Sequence, residues 1–203
     1  MYVVSNSLTD EFVSKSSVTT PKFIPPYKIL MLCSLKNYKG INEFVELSGR
    51  MPTLEFHLLL NARMDQIQNW IETKKKMNNL YIYGPQRNLH PYYSSSHIVI
   101  NLSHPDSWIE TFGLTALEAM AYGLPVVVPD CGGIAELVED GINGFRINVT
   151  NLELIQSKII YMLSDPGIYM RFSNSSREKS RLYNSQKQCD AVESILLGNI
   201  PKF

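Results

Sequence analysis

Glu110 and Glu118 stand either side of Thr111-Phe-Gly-Leu-Thr-Ala-Leu117, and a Gly-containing turn, Phe112-Gly113, falls where a helix should begin. Ala119-Met-Ala-Tyr-Gly123-Leu-Pro125 reads as the end of that helix, and Val126-Val127-Val128 as a strand after it. A helix start presents N–H groups with no intrahelical acceptor at the positive end of the dipole, which makes it a ready anion site. The N–H groups of Phe112, Gly113, Leu114 and Thr115 can hold a diphosphate there, and the Thr115 hydroxyl can add a hydrogen bond. Glu110 lies beside this site and Glu118 about two turns further along. A carboxylate accepts from two donors side by side, so Glu118 suits vicinal hydroxyls and Glu110 those of a second sugar. The ligand expected is one that carries both phosphate and hydroxyl-bearing sugars. The plainer alternative is that Glu110 only complements the helix dipole and Glu118 is a solvated or paired acid.

These residues need a scaffold that puts loop ends together. Lys28-Ile-Leu-Met-Leu-Cys33, Leu54-Glu-Phe-His-Leu-Leu-Leu60, Leu80-Tyr-Ile-Tyr83, His97-Ile-Val-Ile-Asn101 and Val126–Val128 read as strands. Nearly continuous apolar runs of this kind are typical of parallel strands covered on both faces. Ile41, Phe44, Val45 and Ser48 fit one helical face, and Ile67, Trp70 and Ile71 another. Alternating strands and helices predict an α/β doubly wound parallel sheet, Rossmann-like, over residues 27–175. Ligands bind such sheets outside the carboxyl ends of the strands. The loops at 33–40, 83–89, 101–113 and 129–133 should therefore converge on one cleft.

Within those loops, Lys36 and Lys39 can neutralise phosphate, although a surface lysine is the ordinary reading. Gly84 and Pro85, with Tyr92-Tyr93 nearby, can present backbone or a ring to a base; packing tyrosines are the alternative. Gly132-Gly133 would let backbone approach a ligand, or simply make a turn. His104 and Asp106 lie close before Glu110. No Gly-x-Ser-x-Gly, Gly-x-Gly-x-x-Gly or Walker A sequence occurs, and no metal-ligand cluster is evident.

Residues 1–26 read differently: a short strand at Tyr2-Val3-Val4, a helix capped by Ser7 with Asp10 and Glu11 in its first turn, then a polar, Pro-containing linker. This looks like the tail of a preceding domain. After Gly144 the chain is expected to be helical, with a stripe through Leu152, Ile155, Ile159 and Met162 and a cap at Ser164-Asp165-Pro166. Residues 176–203 read as a C-terminal helical segment, with a weaker stripe through Leu182, Val192, Ile195 and Leu196.

Lys plus Arg and Asp plus Glu are both 19 among 203 residues, so the net charge is zero. That offers no global attraction for nucleic acid or an acidic membrane. Lys74-Lys75-Lys76 is expected to close a helix and complement its dipole. The three cysteines, Cys33, Cys131 and Cys189, lie far apart and read as free thiols. With no apolar run of roughly 20 residues and no signal-peptide pattern, a cytoplasmic location is expected.

The stretch Glu110-Thr-Phe-Gly-Leu-Thr-Ala-Leu-Glu118-Ala-Met-Ala-Tyr-Gly-Leu-Pro-Val, followed by Gly132-Gly-Ile-Ala-Glu136-Leu-Val-Glu-Asp-Gly-Ile-Asn-Gly144-Phe, resembles the donor-binding, C-terminal domain of the retaining GT-B glycosyltransferases of family 4, or glycosyl transferases group 1. The resemblance implies a nucleotide-sugar donor, such as a UDP-, GDP- or ADP-sugar, an alcohol acceptor, and no further cofactor or metal. Carried over by position, Glu110 would bind the transferred sugar at its reacting face and Glu118 the ribose hydroxyls. Phe112 to Thr115 would hold the diphosphate by backbone, Lys39 would counter its charge as it leaves, and Gly84 and Pro85 would lie near the base. The family usually has an arginine after the first strand; Cys33-Ser34 stand there, and Lys36 would serve as a point charge instead. The family also implies an N-terminal acceptor-binding domain outside this chain, through which any association with the inner face of the membrane would come. The chain alone should therefore be poorly active. A nucleotide-sugar epimerase or phosphorylase on the same fold, and a non-catalytic interaction domain, are the alternatives.

Overall fold

The computed structural model describes residues 4–17 and 23–197. A helix α1 (Asp10–Ser17) precedes the sheet. Then follow β1 (Lys28–Ser34), α2 (Ile41–Arg50), β2 (Glu55–Asn61), α3 (Met64–Glu72), β3 (Leu80–Tyr83), α4 (His90–Ser95) and β4 (Ile98–Ile100). The second half runs α5 (Leu114–Ala121), β5 (Val126–Val128), α6 (Gly133–Glu136), β6 (Gly144–Arg146), α7 (Leu152–Met162), α8 (Pro166–Ser180) and α9 (Ser185–Leu196). The strands form one six-stranded sheet in the order β3-β2-β1-β4-β5-β6, and every pairing is parallel. This is the doubly wound α/β arrangement the alternating pattern predicts.

Alternation along β1 shows why the strand is apolar throughout. Ile29 and Met31 face a core shared with α2, α3 and α7, while Leu30 joins a second core under α4, α5 and α6. Both faces are covered, so no polar-out positions remain. The chain winds away from β1 in one direction through β2 and β3. It returns past β1 to β4 and continues to β6. The strand order therefore reverses between β1 and β4, where the loops leading to α2 and α5 diverge to opposite faces of the sheet.

Helix α8 ties the two faces together. Tyr169 and Phe172 sit in the first core. Further along, the Arg177 guanidinium donates to the Ala121 carbonyl at 3.1 Å and the Tyr122 carbonyl at 3.0 Å. It thus satisfies carbonyls that the end of α5 leaves open. Asp165 caps α8, accepting from the N–H groups of Gly167 and Ile168, with Pro166 in the first turn, as its sequence suggests.

Several expectations are corrected. The chain does not turn helical directly after Gly144: β6 comes first, pressed so closely on β5 that a Cβ on Gly144 would stand 2.0 Å from the Val126 carbonyl oxygen. Helix α3 ends at Glu72, so Lys74-Lys75-Lys76 follow its last turn rather than close it. Lys74 reaches Asn42 at 2.8 Å and lies over the Trp70 ring. Helix α1 is capped by the Thr9 hydroxyl, which accepts from the Phe12 N–H, while the Ser7 hydroxyl donates to Gln188. The helix extends through Ser17 into the stretch read as linker, and Leu8 just before it is only 4% exposed, packed with α5 in the second core. Helix α8 continues through 175–176. Tyr2 and Val3 of the N-terminal strand expected from sequence lie outside the described residues.

Candidate functional site

The carboxyl ends of β1, β2 and β3 and the start of α5 enclose a cavity of about 370 Å³. Cys33, Ser34, Asn61, Gly84, Pro85 and Thr115 are among its lining residues. Gly84, Pro85 and Thr115 are thus brought to one space. The end of β2 joins them, a contribution the sequence does not reveal because Leu58-Leu59-Leu60 reads simply as strand interior. Burial pushes the Cys33 thiol up to about 12, which leaves it an unreactive wall of this cavity. Lys36, Lys39, Glu110 and Glu118 are not part of the lining.

Above the cavity, α5 begins after Gly113, whose φ of +84° is a conformation that favours glycine. No side chain caps this helix. Among the described residues none accepts a hydrogen bond from the N–H of Phe112, Gly113, Leu114 or Thr115. Unpaired amides at the positive end of a helix dipole are groups that an anion can satisfy. The Phe112 side chain points the other way, packing on the second core and edge-on to Tyr183 at 5.8 Å.

Glu118 is half-buried on the same helix. Tyr93, fully buried on α4, donates to Glu118 Oε2 at 2.6 Å. Burial raises the Glu118 pKa, and the Tyr93 hydrogen bond works against that shift. The hydroxyl fixes one carboxylate oxygen and leaves the other to accept elsewhere. Tyr93 is therefore no stacking surface for a base. Its ring stacks on Tyr122 at 5.6 Å inside the core, and its hydroxyl positions Glu118.

Glu110 and Lys39 meet across the point where strand order reverses. Lys39 ends a 3-10 turn, Asn37–Lys39, after β1, and Glu110 lies on the loop after β4. Their side chains pair at 2.8 Å, only 14% and 21% exposed. An ammonium has three donors, so with one on Glu110 it retains others for a ligand. The two loops are locked together at their base. Gly40, at φ +74°, is so close to Leu102 that a Cβ would lie 2.2 Å from the Leu102 carbonyl oxygen. Lys36 is exposed, and its carbonyl accepts from the Lys39 N–H at 2.9 Å.

The Gly132-Gly133 turn serves this loop. A Cβ on Gly133 would fall 1.8 Å from the Thr111 carbonyl oxygen, and one on Gly132 would fall 2.7 Å from that of Glu110. The close approach read from these glycines is made by the chain's own backbone. His104 turns from the cleft to pair with Glu43 at 3.0 Å.

A six-stranded parallel sheet with an uncapped helix start, a positioned carboxylate and an ion pair at the strand-order reversal makes this a Rossmann-like α/β domain with its polar groups gathered at one end of the sheet. The chain belongs to the family described as glycosyl transferases group 1, whose model matches residues 16–179. An uncharacterized glycosyltransferase of Haemophilus influenzae is 34% identical over 173 residues, 83% of this chain and 48% of that protein. The chain thus spans less than half the length of this curated relative. The Anabaena protein HepE, solved in complex with UDP, superposes with a TM-score of 0.81 at 18% identity, over 97% of this chain and 57% of that one. The C-terminal domain of a group 1 glycosyl transferase from Francisella tularensis superposes with a TM-score of 0.67 at 21% identity, over 91% of this chain and 97% of that one.

Proposed function

We propose that this chain is the donor-binding domain of a retaining, family 4 glycosyltransferase that moves a sugar from a nucleoside-diphosphate sugar to an alcohol acceptor in the cytoplasm. The observation that carries this reading is Glu118, fixed by the buried Tyr93 hydroxyl on the helix whose leading amides are free. The diphosphate lies on the amides of Phe112 to Thr115, and the ribose hydroxyls donate to the free oxygen of Glu118. The base enters the cavity by Gly84 and Pro85. In transfer, the bond from the anomeric carbon to the diphosphate oxygen breaks and one to the acceptor oxygen forms. The acceptor proton goes to the departing diphosphate or solvent. Negative charge grows on the leaving group, where preorganised amides and the spare donors of Lys39 stabilise it. Glu110 holds the transferred sugar and keeps Lys39 in place. The UDP held by HepE on a similar fold supports a nucleotide ligand here. An acceptor-binding domain outside this chain would complete the cleft.

Thermal unfolding with UDP, GDP and ADP tests the reading. A ligand at one hundred times its Kd stabilises the folded state by about 2.7 kcal/mol, which for a domain of this size raises Tm by roughly 5–10 °C. A midpoint unmoved by all three diphosphates would instead favour the non-catalytic interaction domain.

A further inference from the structure

Beside the Lys39–Glu110 pair stands an aromatic surface that the donor chemistry does not use. Trp108 is 48% exposed. Its indole stacks on Tyr38 with ring centroids 5.8 Å apart and planes 19° from parallel. Lys39 Nζ lies 5.3 Å from the centre of the Trp108 ring and 5.9 Å from that of Tyr38. The Glu110 carboxylate, 2.8 Å from that ammonium, completes the group. Backbone fixes the arrangement: the His104 N–H donates to the Tyr38 carbonyl at 2.7 Å, and the Trp108 N–H to the His104 carbonyl at 2.9 Å. Both rings are therefore held by loops already pinned at Gly40 and Leu102.

We propose that Trp108, backed by Tyr38, forms a carbohydrate-stacking platform at the reversal between β1 and β4, binding one face of a pyranose ring. The inference rests on the donor-site reading for its neighbour but is carried by the rings. A pyranose has a C–H face that suits the electron-rich face of an indole and a rim of hydroxyls that need polar partners. Here the Lys39 ammonium lies over the aromatic pair and holds the Glu110 carboxylate beside it. The diphosphate is already assigned to the amides of Phe112 to Thr115 on α5. A nucleobase has its own cavity near Gly84. The pyranose is the transferred sugar of the donor or a sugar of the acceptor; the chemistry is the same, and experiment separates the two.

The chain contains two tryptophans, so Trp70→Phe leaves Trp108 as the sole indole reporter. Its emission is followed with UDP-glucose, UDP-N-acetylglucosamine and GDP-mannose, with UDP and GDP alone, and with methyl α-glucoside and maltose in the presence and absence of UDP. Thermal midpoints are taken in parallel. The expected result is a change in Trp108 emission on addition of a sugar-bearing ligand that the diphosphate alone does not produce. A response to nucleotide sugars identifies the donor as the source, and a response to free glycosides the acceptor. Trp108→Ala should weaken that sugar-dependent binding about tenfold, with bare diphosphate affinity unchanged and Trp108→Phe retaining most of it. If a diphosphate raises the midpoint while Trp108 is silent to every sugar, or responds equally to diphosphate alone, the platform is overturned and the donor site stands. If no diphosphate raises the midpoint, the donor reading fails, and the platform survives only if free glycosides move Trp108.

Discussion

Glu118 is held in a form that costs stability. Its folded-state pKa lies above the ordinary value of 4.5, first because of burial, with the Tyr93 hydroxyl opposing the shift. A carboxyl with a raised folded pKa contributes its stability when protonated, below the unfolded value, and loses it as pH rises through the folded value. At neutral pH the charged group is thus a liability that ligand hydroxyls relieve. Glu118→Gln, which can still accept from Tyr93, should melt at or above the wild type at neutral pH. The difference should narrow on acidification into the carboxylate range, and melting curves at two pH values check both statements. Diphosphate binding should behave oppositely, weakening as Glu118 takes a proton and an acceptor is lost. Lys39 and Glu110 make a second residue-scale prediction. A double-mutant cycle of Lys39→Ala and Glu110→Ala, read by denaturant unfolding, should give a coupling on the order of 1 kcal/mol, as for residues in direct contact. Glu110, Glu118 and Lys39 could be singled out because residue type and spacing carry their chemistry, whereas the Lys36 side chain stays exposed. The part played by Tyr93 was not legible: its contact with Glu118 spans 25 positions and depends on α4 lying under α5. The stacked pair Tyr38 and Trp108 was equally hidden, because each sits in a separate loop.

At the level of elements, β1 and β2 were readable because strands buried on both faces are apolar at nearly every position. The strand β6 was not, since its three residues Gly144-Phe-Arg146 hold one apolar side chain between a glycine and a charge. Helix α4 was missed because His90-Pro-Tyr-Tyr-Ser-Ser95 is short and made of turn-forming residues, and only packing keeps it helical. The lysine run misled because charge pattern places a helix end only to within a few residues. The loop from Ile109 to Phe112 depends on the turn beneath it, which gives a prediction of element scale. Gly133→Ala puts a methyl against the Thr111 backbone, which no rotamer change relieves. It should cost about 1–3 kcal/mol and weaken diphosphate binding by moving that loop. Gly49→Ala in α2 meets only the flexible end of Met77, at 3.1 Å. It should be neutral or stabilise by about 0.5–1 kcal/mol. Denaturant unfolding of both variants makes the comparison.

For the whole molecule, the order β3-β2-β1-β4-β5-β6 explains why residues far apart in sequence share one end of the sheet. Crossing from β1 to β4 sends the Lys39 and Glu110 loops to opposite faces after they meet at the reversal. Helix α5 then brings its free amides and Glu118 to the same end. We propose that this end of the sheet binds a nucleoside diphosphate through Glu118. Calorimetric titration of the wild type and Glu118→Ala with UDP, GDP and ADP sugars tests it most directly. At least one of these donors should bind the wild type, and Glu118→Ala should lose this binding while remaining folded. Equal affinity in the two proteins would contradict it.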